Sequence, residues 1–497
     1  MLEQLAKHAV RHPARLALQG SRQRLNYAEL HDQVAVLAKR LRSLNVRSLA
    51  LDLDNGPVWA LFDLAALEAG VALLPIAPFF SPKQVRHALT QTAVEMIITD
   101  DANGFRRKVP GMPMEEASSW SLLGENLACL RTAFRETRVP HYVHKVTYTS
   151  GTTADPKGVL LSWEQMRPVV ESLAQAVAVK QGDRHLVLTP LAVLLENIAG
   201  LYTALWCGAC AVLPPLAETG LMGAAGLDGR RMLDTLERYT ASTAIFSPQM
   251  LQGAVEQLDS GRSLPAALRF IAVGGAAVSR RLLQRAAEVG LPVYEGYGLS
   301  ECASVVTLNR PGAQCPGSVG KPLPHVEIHI DPDGEVLVRG NLFSGYLGED
   351  GAITNTSWWR TGDIGLLDPE GFLHLRGRRR HIFITTYGRN VSPEWVEREL
   401  VLEPAIFQAA LFGEARPWNL ALIVPAPGAS QQEIVEAIQR VNQELPDYAQ
   451  VGQWIEADEP FTIANGGLSG TGRIRREIIF QHYRDPIEAL YQQDLVS

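Results

Sequence analysis

Lysine, cysteine and long apolar runs are all scarce in this chain of 497 residues. Only eight of its 46 basic residues are lysine, and none of them follows Lys321. No apolar run approaches the roughly 18 residues that a transmembrane helix needs. The net charge of −7 also argues against a general nucleic-acid-binding protein. We therefore expect neither a membrane span nor a nucleic-acid partner.

The five cysteines are odd in number, which fits a reducing compartment better than a framework of disulfides. Cys207 and Cys210 form a C-x-x-C pair, but no second pair completes a metal site, so we interpret them as small core residues. The first residues of the chain lack the apolar region of a signal peptide. Together these features predict a cytoplasmic protein.

Helical and strand patterns alternate along much of the N-terminal part, and the length exceeds what one hydrophobic core usually contains. Asn26 and Glu29 form a capping-box signature before apolar residues at helical spacing. Short apolar runs such as residues 49–53 and 96–98 predict strands. This alternation indicates a largely parallel sheet with helices on its faces. Residues 105–140 show little pattern, and we interpret them as a connecting region.

The C-terminal part shows a different pattern. Residues 319–365 have the turns and spacing of antiparallel strands, and residues 431–445 have one apolar helical face. We therefore predict an α/β fold with a large N-terminal domain, residues 1–376, built of α/β subdomains and a small antiparallel β part. A small, mobile α+β domain, residues 377–497, would follow a hinge near Arg380.

A run of hydroxyl side chains marks residues 148–158, which lie between two strand-like segments. Hydroxyls, backbone N–H groups and the charge of Lys157 can converge there on one anion, and phosphate is the natural ligand. The segment is not a Walker loop, because Gly158 rather than serine or threonine follows the lysine. A polar surface turn is the alternative interpretation. The candidate residues of this phosphate loop are Thr149, Ser150, Gly151, Thr152 and Thr153.

The loop resembles the nucleotide phosphate loop of the adenylate-forming superfamily, which contains acyl- and aryl-CoA ligases, luciferases and the adenylation domains of peptide synthetases. Ala154 stands where the usual pattern has glycine. Members of that superfamily join a carboxylate to ATP, release pyrophosphate and pass the acyl group to a thiol. The resemblance spans nearly the whole chain and implies a ligase with ATP and Mg²⁺ as cofactors.

A second motif of the superfamily resembles Gly296-Tyr297-Gly298-Leu299-Ser300-Glu301. The resemblance implies that the ring of Tyr297 stacks on adenine and that Glu301, together with Thr149, holds Mg²⁺. A tight glycine-rich turn with an exposed carboxylate is the alternative. The remaining nucleotide-binding residues that the resemblance implies are Gly274, Gly275, Ala276, Gly298 and Ser300, beside the phosphate loop.

A third motif is similar to residues 359–363, Trp-Arg-Thr-Gly-Asp. In the superfamily its aspartate, here Asp363, accepts hydrogen bonds from the ribose hydroxyls, and a carboxylate can accept two such bonds. Arg378 matches an arginine that also reaches the nucleotide, and Arg380 falls on the hinge position. Without the flanking motifs, this basic segment would be interpreted as a solvated surface.

The residues that would line the acid-binding pocket indicate the kind of acid that is bound. Peptide-synthetase domains keep an aspartate near the start of the stretch that corresponds to residues 190–195, and this chain has none. That predicts an apolar carboxylic acid without an α-amino group, with aliphatic acids favoured over aryl acids. Glu196 has a counterpart in long-chain fatty acyl ligases, although we interpret it as structural. The acceptor stays open between coenzyme A, the phosphopantetheine of an acyl carrier protein and an amine.

Arg473 stands where the last motif of the superfamily ends in a lysine that touches the carboxylate and the α-phosphate. Arginine keeps the charge but is longer, planar and forked. The catalytic residues that the resemblance implies are thus Lys157, Glu301 and Arg473. A degenerate relative that binds its ligands without turnover is one alternative. An ordinary ATP hydrolase is another, but it lacks the Walker lysine arrangement and an evident residue to activate water.

Overall fold

The computed structural model describes residues 1–148, 156–222, 226–276, 278–349, 356–469 and 472–493. Its helices and strands in those ranges are named in chain order. The α-helices are α1 (Leu2–Arg11), α2 (Tyr27–Ser43), α3 (Pro57–Ala69), α4 (Pro82–Thr92), α5 (Ala102–Lys108), α6 (Trp163–Ala176), α7 (Thr203–Trp206), α8 (Gly229–Arg238), α9 (Pro248–Asp259), α10 (Arg280–Glu288), α11 (Pro393–Val401), α12 (Gln431–Glu444), α13 (Arg476–His482) and α14 (Arg484–Gln493).

The strands fall into several sheets, described below. They are β1 (Leu16–Gln19), β2 (Arg24–Asn26), β3 (Ser48–Asp52), β4 (Ala72–Pro75), β5 (Met96–Thr99), β6 (Met114–Leu122), β7 (Glu125–Thr132), β8 (Lys145–Tyr148), β9 (Gly158–Leu161), β10 (Arg184–Leu186), β11 (Cys210–Val212), β12 (Leu221–Met222), β13 (Gly226–Leu227), β14 (Thr243–Phe246), β15 (Phe270–Val273), β16 (Val293–Leu299), β17 (Ser304–Leu308), β18 (Lys321–Pro322), β19 (Val326–Ile330), β20 (Glu335–Gly340), β21 (Trp359–Leu367), β22 (Leu373–Arg378), β23 (Phe383–Ile384), β24 (Asn390–Val391), β25 (Ile406–Phe412), β26 (Asn419–Pro425) and β27 (Val451–Glu456).

Two large sheets form the centre of the N-terminal domain. One has the order β6-β7-β5-β3-β4-β8-β9, and the other has the order β18-β17-β16-β15-β14-β10-β11-β1-β2. Their central strands pair in parallel, and antiparallel strands close their edges. Strands such as β4, β5 and β14 are buried along their whole length, because helices cover both faces of a parallel sheet. The predicted mostly parallel sheet architecture is confirmed.

Helices α2 and α3 illustrate how the local sequence sets the packing. The side chain of Asn26 accepts a hydrogen bond from the backbone of Glu29, and the Glu29 carboxylate accepts one from the backbone of Asn26. This capping box was predicted from the sequence. It starts α2 so that the apolar face that includes Leu30 and Leu37 is buried. Helix α3 is buried over its first ten residues, and its Trp59 lies in the main hydrophobic core of the N-terminal domain.

The interpretation of residues 105–140 as a connecting region is wrong. Strands β6 and β7 form an antiparallel hairpin there, and β7 pairs with β5 at the edge of the seven-stranded sheet. The exposed residues of β6 include Glu115 and Glu116, so this edge strand shows little of the apolar signal that marks a buried strand. Only β7 presents a buried apolar set, which includes Leu127 and Leu130.

The remaining sheets are smaller. Strands β19 to β22 form a four-stranded antiparallel sheet in sequence order, which confirms the prediction for residues 319–365. The C-terminal domain contains the three-stranded sheet β25-β26-β27, with α11 and α12 packed on it. Helix α12 buries Ile434 and Ile438 on the apolar face that the sequence predicts, and it starts at a capping box of Ser430 and Glu433 that was not predicted. None of the described helices has both the length and the apolarity of a membrane-spanning segment.

Candidate active site

The predicted phosphate loop connects two neighbouring strand ends. Thr149, Ser150, Gly151, Thr152 and Thr153 lie outside the described residues, but both flanks are described. Strands β8 and β9 pair antiparallel, with Tyr148 opposite Gly158. The Tyr148 hydroxyl donates a 2.9 Å hydrogen bond to Gln91 of α4, so the base of the loop is anchored to that helix.

Lys157, at the end of that loop, lies beside two residues that the sequence did not single out. Its Nζ is 2.7 Å from Oε1 of Glu349 and 4.6 Å from the ring centroid of Tyr346. The Tyr346 hydroxyl donates a 2.6 Å hydrogen bond to Oε1 of Glu301. Tyr346 therefore stands between Lys157 and Glu301 and brings two of the predicted catalytic side chains to one place.

Backbone hydrogen bonds hold this arrangement. The amide of Leu347 donates to the carbonyl of Gly158 at 2.8 Å, so the segment 343–347 runs beside the base of the phosphate loop. At the other end of the segment, the amide of Phe343 donates to the carbonyl of Glu301 at 2.7 Å. One short segment thus joins the loop to Glu301, although 143 positions separate Gly158 from Glu301 in the sequence numbering.

Tyr297, Asp363 and Arg378 form a second cluster in the same crevice, in which Tyr297 and Asp363 are buried and Arg378 is partly exposed. The Tyr297 hydroxyl donates to Oδ2 of Asp363 at 2.6 Å, and Nε of Arg378 lies 2.7 Å from Oδ1. Burial raises the pKa of the Tyr297 phenol well above its usual value, so the hydroxyl remains a donor. Burial also raises the pKa of Asp363, while Arg378 and the Tyr297 hydroxyl oppose that shift.

The glycine-rich second motif is not the tight turn of the alternative interpretation. Strand β16 continues through Gly298 as far as Leu299, and a short 3₁₀ turn then carries Ser300 and Glu301. A Cβ atom at Gly298 would lie 1.7 Å from the carbonyl oxygen of Ser304, so only glycine fits beside β17. Close strand packing, rather than a free turn, therefore explains this glycine.

The turn after β15 carries Gly274, Gly275 and Ala276. Gly275 has φ +83°, which favours glycine, and both Gly275 and Ala276 are exposed to the crevice. The Nη2 atom of Arg473 donates a hydrogen bond of 2.5 Å to the carbonyl of Gly275. The C-terminal domain therefore reaches the turn of the large domain through the residue that replaces the expected lysine.

Arg473 lies close to Asp363 and Arg378 as well. Loss of solvation in the crevice and the nearby charge of Arg378 lower the pKa of Arg473, and the carboxylate of Asp363 opposes the shift. Arginine nonetheless keeps its charge at neutral pH, because its ordinary pKa is above about 12. A permanent positive charge thus faces the same space as Asp363 and Glu301.

These residues line one crevice of about 1810 Å³ between the two domains and into the large domain. Residues of helix α6 and of strands β14 and β15 are among its lining. Many of the lining residues are small or apolar, and this apolar part of the crevice is here called the channel. Its residues include Val177, Ala192, Leu194, Ala199, Gly200, Ala204, Ile245 and Ala272.

Glu196 lies in the π-helical turn Glu196–Tyr202 beside this channel and is fully buried. Its Oε1 is 3.0 Å from Nε2 of His185, and its Oε2 accepts a 2.7 Å hydrogen bond from the Thr189 hydroxyl. Both carboxylate oxygens are therefore used within the protein. The structure thus supports the interpretation of Glu196 as a structural residue.

All five cysteines are free thiols, with Cys207 half-buried and Cys210 buried.

Two family models match the sequence: AMP-binding enzyme over residues 5–347, and AMP-binding enzyme C-terminal domain over residues 381–495. The chain belongs to the AMP-binding enzyme family. The predicted relationship to adenylate-forming enzymes is thereby confirmed. In this AMP-binding enzyme, the crevice lies where the stretch matched by the first model meets the stretch matched by the second.

Curated relatives of this AMP-binding enzyme include long-chain-fatty-acid–CoA ligase FadD15 of Mycobacterium bovis. That protein is 28% identical, over 94% of this chain and 92% of its own length. The 2-succinylbenzoate–CoA ligase of Bacillus cereus is 26% identical, over 87% of this chain and 90% of its own length. The relatives therefore include ligases named for a fatty acid and ligases named for an aromatic acid.

Solved structures show the same fold. The o-succinylbenzoate CoA synthetase MenE of Bacillus subtilis, in complex with ATP and magnesium ion, is 24% identical with a TM-score of 0.75, covering 95% of this chain and 98% of that one. The anthranilate CoA ligase AuaEII, in complex with anthranoyl-AMP, is 19% identical with a TM-score of 0.78, covering 97% and 96%. The α/β fold with a smaller C-terminal domain is confirmed.

Proposed function

We propose that this AMP-binding enzyme uses ATP and Mg²⁺ to activate an apolar carboxylic acid as its acyl-adenylate, and then transfers the acyl group to a thiol. The observation that carries the proposal is the convergence of Asp363, Glu301 and Arg473 on one crevice that continues into an apolar channel. The crevice supplies room for a nucleotide, and the channel supplies room for the acid. The kinds of CoA ligase among the relatives support the same reaction.

The nucleotide would lie against Tyr297, Asp363 and Arg378. Asp363 uses one lone pair of each oxygen for Tyr297 and Arg378, and each oxygen can accept a further hydrogen bond from a ribose hydroxyl. The adenine ring would pack beside Tyr297 and the turn of Gly274 and Gly275, where the absence of side chains leaves the backbone accessible. The phosphates would then extend towards Lys157 and the phosphate loop.

Magnesium fits the carboxylate of Glu301. Among the described residues, the Tyr346 hydroxyl contacts Oε1 of Glu301, so Oε2 can serve as a hard oxygen ligand in the crevice. The predicted second ligand, Thr149, lies outside the described residues. When bound, Mg²⁺ would neutralise phosphate charge and favour departure of pyrophosphate. Lys157 would add a second positive charge from the other side of Tyr346.

Arg473 would act in the first half-reaction. A carboxylate oxygen of the acid forms a bond to the α-phosphorus while the bond from that phosphorus to the pyrophosphate oxygen breaks. Negative charge then lies on the α-phosphate and on the attacking carboxylate together, and the Arg473 guanidinium lowers their repulsion. No proton transfer is required of Arg473, so its high pKa is no obstacle.

The second half-reaction would pass the acyl group to a thiol. The thiolate sulfur bonds to the acyl carbon, and the bond from that carbon to the phosphate oxygen of AMP breaks. We propose that the small domain, residues 377–497, turns about Arg380 relative to residues 1–376 and moves Arg473 away before this step. Coenzyme A is the acceptor that the names of the relatives suggest, and the phosphopantetheine of an acyl carrier protein is the other.

The channel supports the choice of acid. Small side chains such as Ala199, Gly200 and Ala272 leave space, and no described residue at 190–195 is charged. An α-amino group would therefore lose its water without gaining a carboxylate partner from that stretch. An apolar lining that includes Val177, Ala199 and Ala272 suits an aliphatic chain.

The test is pyrophosphate release with ATP, Mg²⁺ and a panel of fatty, aryl, hydroxy and amino acids, followed by addition of coenzyme A or a loaded carrier protein. We expect medium or long aliphatic acids to give the fastest release. Fastest release with a neutral amino acid would contradict the assignment of the acid. A degenerate relative without turnover is the second candidate, because arginine replaces the superfamily's lysine, and it predicts nucleotide binding with no pyrophosphate from any acid.

A further inference from the structure

Glu403 connects the two domains through a pair of arginines. Its Oε1 lies 2.8 Å from Nη1 of Arg281 on α10 of the large domain. Its Oε2 lies 2.9 Å from Nε of Arg440 on α12 of the small domain. The Glu403 side chain is only 2% exposed, so both ion pairs are shielded from water at this end. Removing one partner of such a pair is costly, because it leaves a buried charge without compensation.

Helix α11, which ends just before Glu403, also meets the large domain through its own side chains. Ser279, the residue that caps α10, lies close enough to Glu399 to oppose the rise that burial causes in the pKa of that carboxyl. Arg398 likewise lies close enough to Glu295 of β16 for its charge to oppose the rise that burial causes in the pKa of Glu295. Residues of α11 therefore face both the start of α10 and strand β16, beside the ion pair of Arg281 with Glu403.

The same helix holds the loop that carries Arg473. Glu397 of α11 accepts two hydrogen bonds from Nη2 of Arg476, at 2.6 and 2.8 Å. Arg476 begins α13, three positions after Arg473, and its Nε also donates to the carbonyl of Leu411 at 3.1 Å. The position of α11 on the large domain thus sets the position of Arg473 at the Gly275 carbonyl.

We propose that Arg281 and Glu403 are positioning residues for adenylate formation, which together hold the small domain where Arg473 reaches the crevice. This inference rests on the proposed function. Neither residue touches the reacting groups, so the pair acts through α11. Arg440 has a different role, because it stays paired with Glu403 on the small domain when that domain turns away. The buried Glu403 carboxylate therefore always has a positively charged partner, so its ion pair with Arg281 can break and form again.

Helix α10 offers a matched control for the test. Arg285 lies one turn beyond Arg281 on α10 and pairs with Asp259 of the large domain only. We expect Arg281→Gln to slow pyrophosphate release by about 10- to 100-fold, since a small displacement of a positioned charge has effects of that order. Release of AMP from supplied acyl-adenylate and thiol should stay within about twofold, because that step does not need Arg473 in the crevice. Arg285→Gln should leave both half-reactions unchanged, and Arg281→Lys should restore most of the first.

A second measurement reports the domain contact without catalysis. The arginines of residues 376–380 connect the two domains and form tryptic sites, and cleavage there should be faster in Arg281→Gln than in the parent or in Arg285→Gln. Equal rates of pyrophosphate release and of cleavage for Arg281→Gln and Arg285→Gln would overturn the proposal. Equal loss of both half-reactions would also overturn it, as that indicates general damage. If the parent releases no pyrophosphate with any acid, the proposed function fails, and the cleavage rates alone then decide whether the contact exists.

Discussion

The hydroxyl of Tyr297 donates a 2.6 Å hydrogen bond to the carboxylate of Asp363, which is 66 positions further along the chain. The bond joins β16 of the nine-stranded sheet to β21 of the four-stranded sheet. Arg378, on the neighbouring strand β22, forms an ion pair with the other carboxylate oxygen of Asp363. Asp363 is therefore oriented by two partners on two sheets before any nucleotide binds.

Removing this carboxylate should weaken nucleotide binding. We expect Asp363→Ala to cost about 1–3 kcal/mol of ATP affinity, because the ribose hydroxyls lose their acceptor and Arg378 loses its partner. Tyr297→Phe keeps the ring and removes only one orienting bond, so its effect should be smaller. Isothermal calorimetry on the folded variants measures both. Unchanged affinity in Asp363→Ala would contradict the placement of the ribose.

Glu301 should determine the magnesium requirement. In Glu301→Gln the side chain keeps its size and can still accept a hydrogen bond from Tyr346, but it loses the charge that favours a divalent cation. We expect half-maximal pyrophosphate release to need on the order of 10-fold more Mg²⁺. Glu327→Gln, on the exposed part of β19, serves as the control. An identical Mg²⁺ dependence in the two variants would remove Glu301 from the metal site.

Arg473 separates the two half-reactions. Arg473→Ala should remove on the order of 2–4 kcal/mol of transition-state stabilisation from adenylate formation. Arg473→Lys should be tolerated or faster, since lysine is the residue of the superfamily pattern. Thioester formation from supplied acyl-adenylate should hardly change in either variant. Single-turnover measurements of each step distinguish these outcomes, and an Arg473→Ala variant that adenylates like the parent would make the residue a bystander.

The channel should set the length of the acid. Ala272 of β15 lines the apolar part of the crevice, and a bulky residue there would fill space that a long chain needs. We expect Ala272→Phe to lower kcat/KM for the longest accepted acid by about 10-fold or more, since each lost methylene contact is worth about 1 kcal/mol or more. Short acids and ATP should keep their KM. A uniform loss across all acid lengths would argue against a channel that ends beyond Ala272.

Glu295 should give the folded protein a pH dependence. Burial raises its pKa to about 7 from an ordinary value of 4.5, so the folded state holds a proton that the unfolded state has released in this interval. The free energy of unfolding should therefore fall as the pH rises from about 4.5 to about 7, by roughly 1–3 kcal/mol in all. Glu295→Gln removes this contribution and should gain stability relative to the parent as the pH rises. Thermal unfolding of both proteins across pH 5 to 8 checks this, and parallel curves would contradict the shifted pKa.

Local signals carried much of the fold. The capping box at Asn26 predicted the start of α2, because both partners lie within four residues of each other, and the apolar face of residues 431–445 predicted α12. Short apolar runs predicted the buried strands, since parallel strands are covered on both faces. The hairpin of β6 and β7 was missed because its edge strand is polar and its stability depends on β5, a strand from another part of the chain.

The sequence by itself determined the family and the candidate chemistry. Each motif around Lys157, Glu301, Asp363 and Arg473 consists of consecutive residues, and the motifs follow one another along the chain in a characteristic order. Only the tertiary structure decided what surrounds them. Tyr346 between Lys157 and Glu301, and the ion pair of Arg281 with Glu403, involve residue types that are common on any surface. Such contacts join positions that are distant in the chain, and their energy depends on burial and distance, which exist only once the sheets and domains have packed.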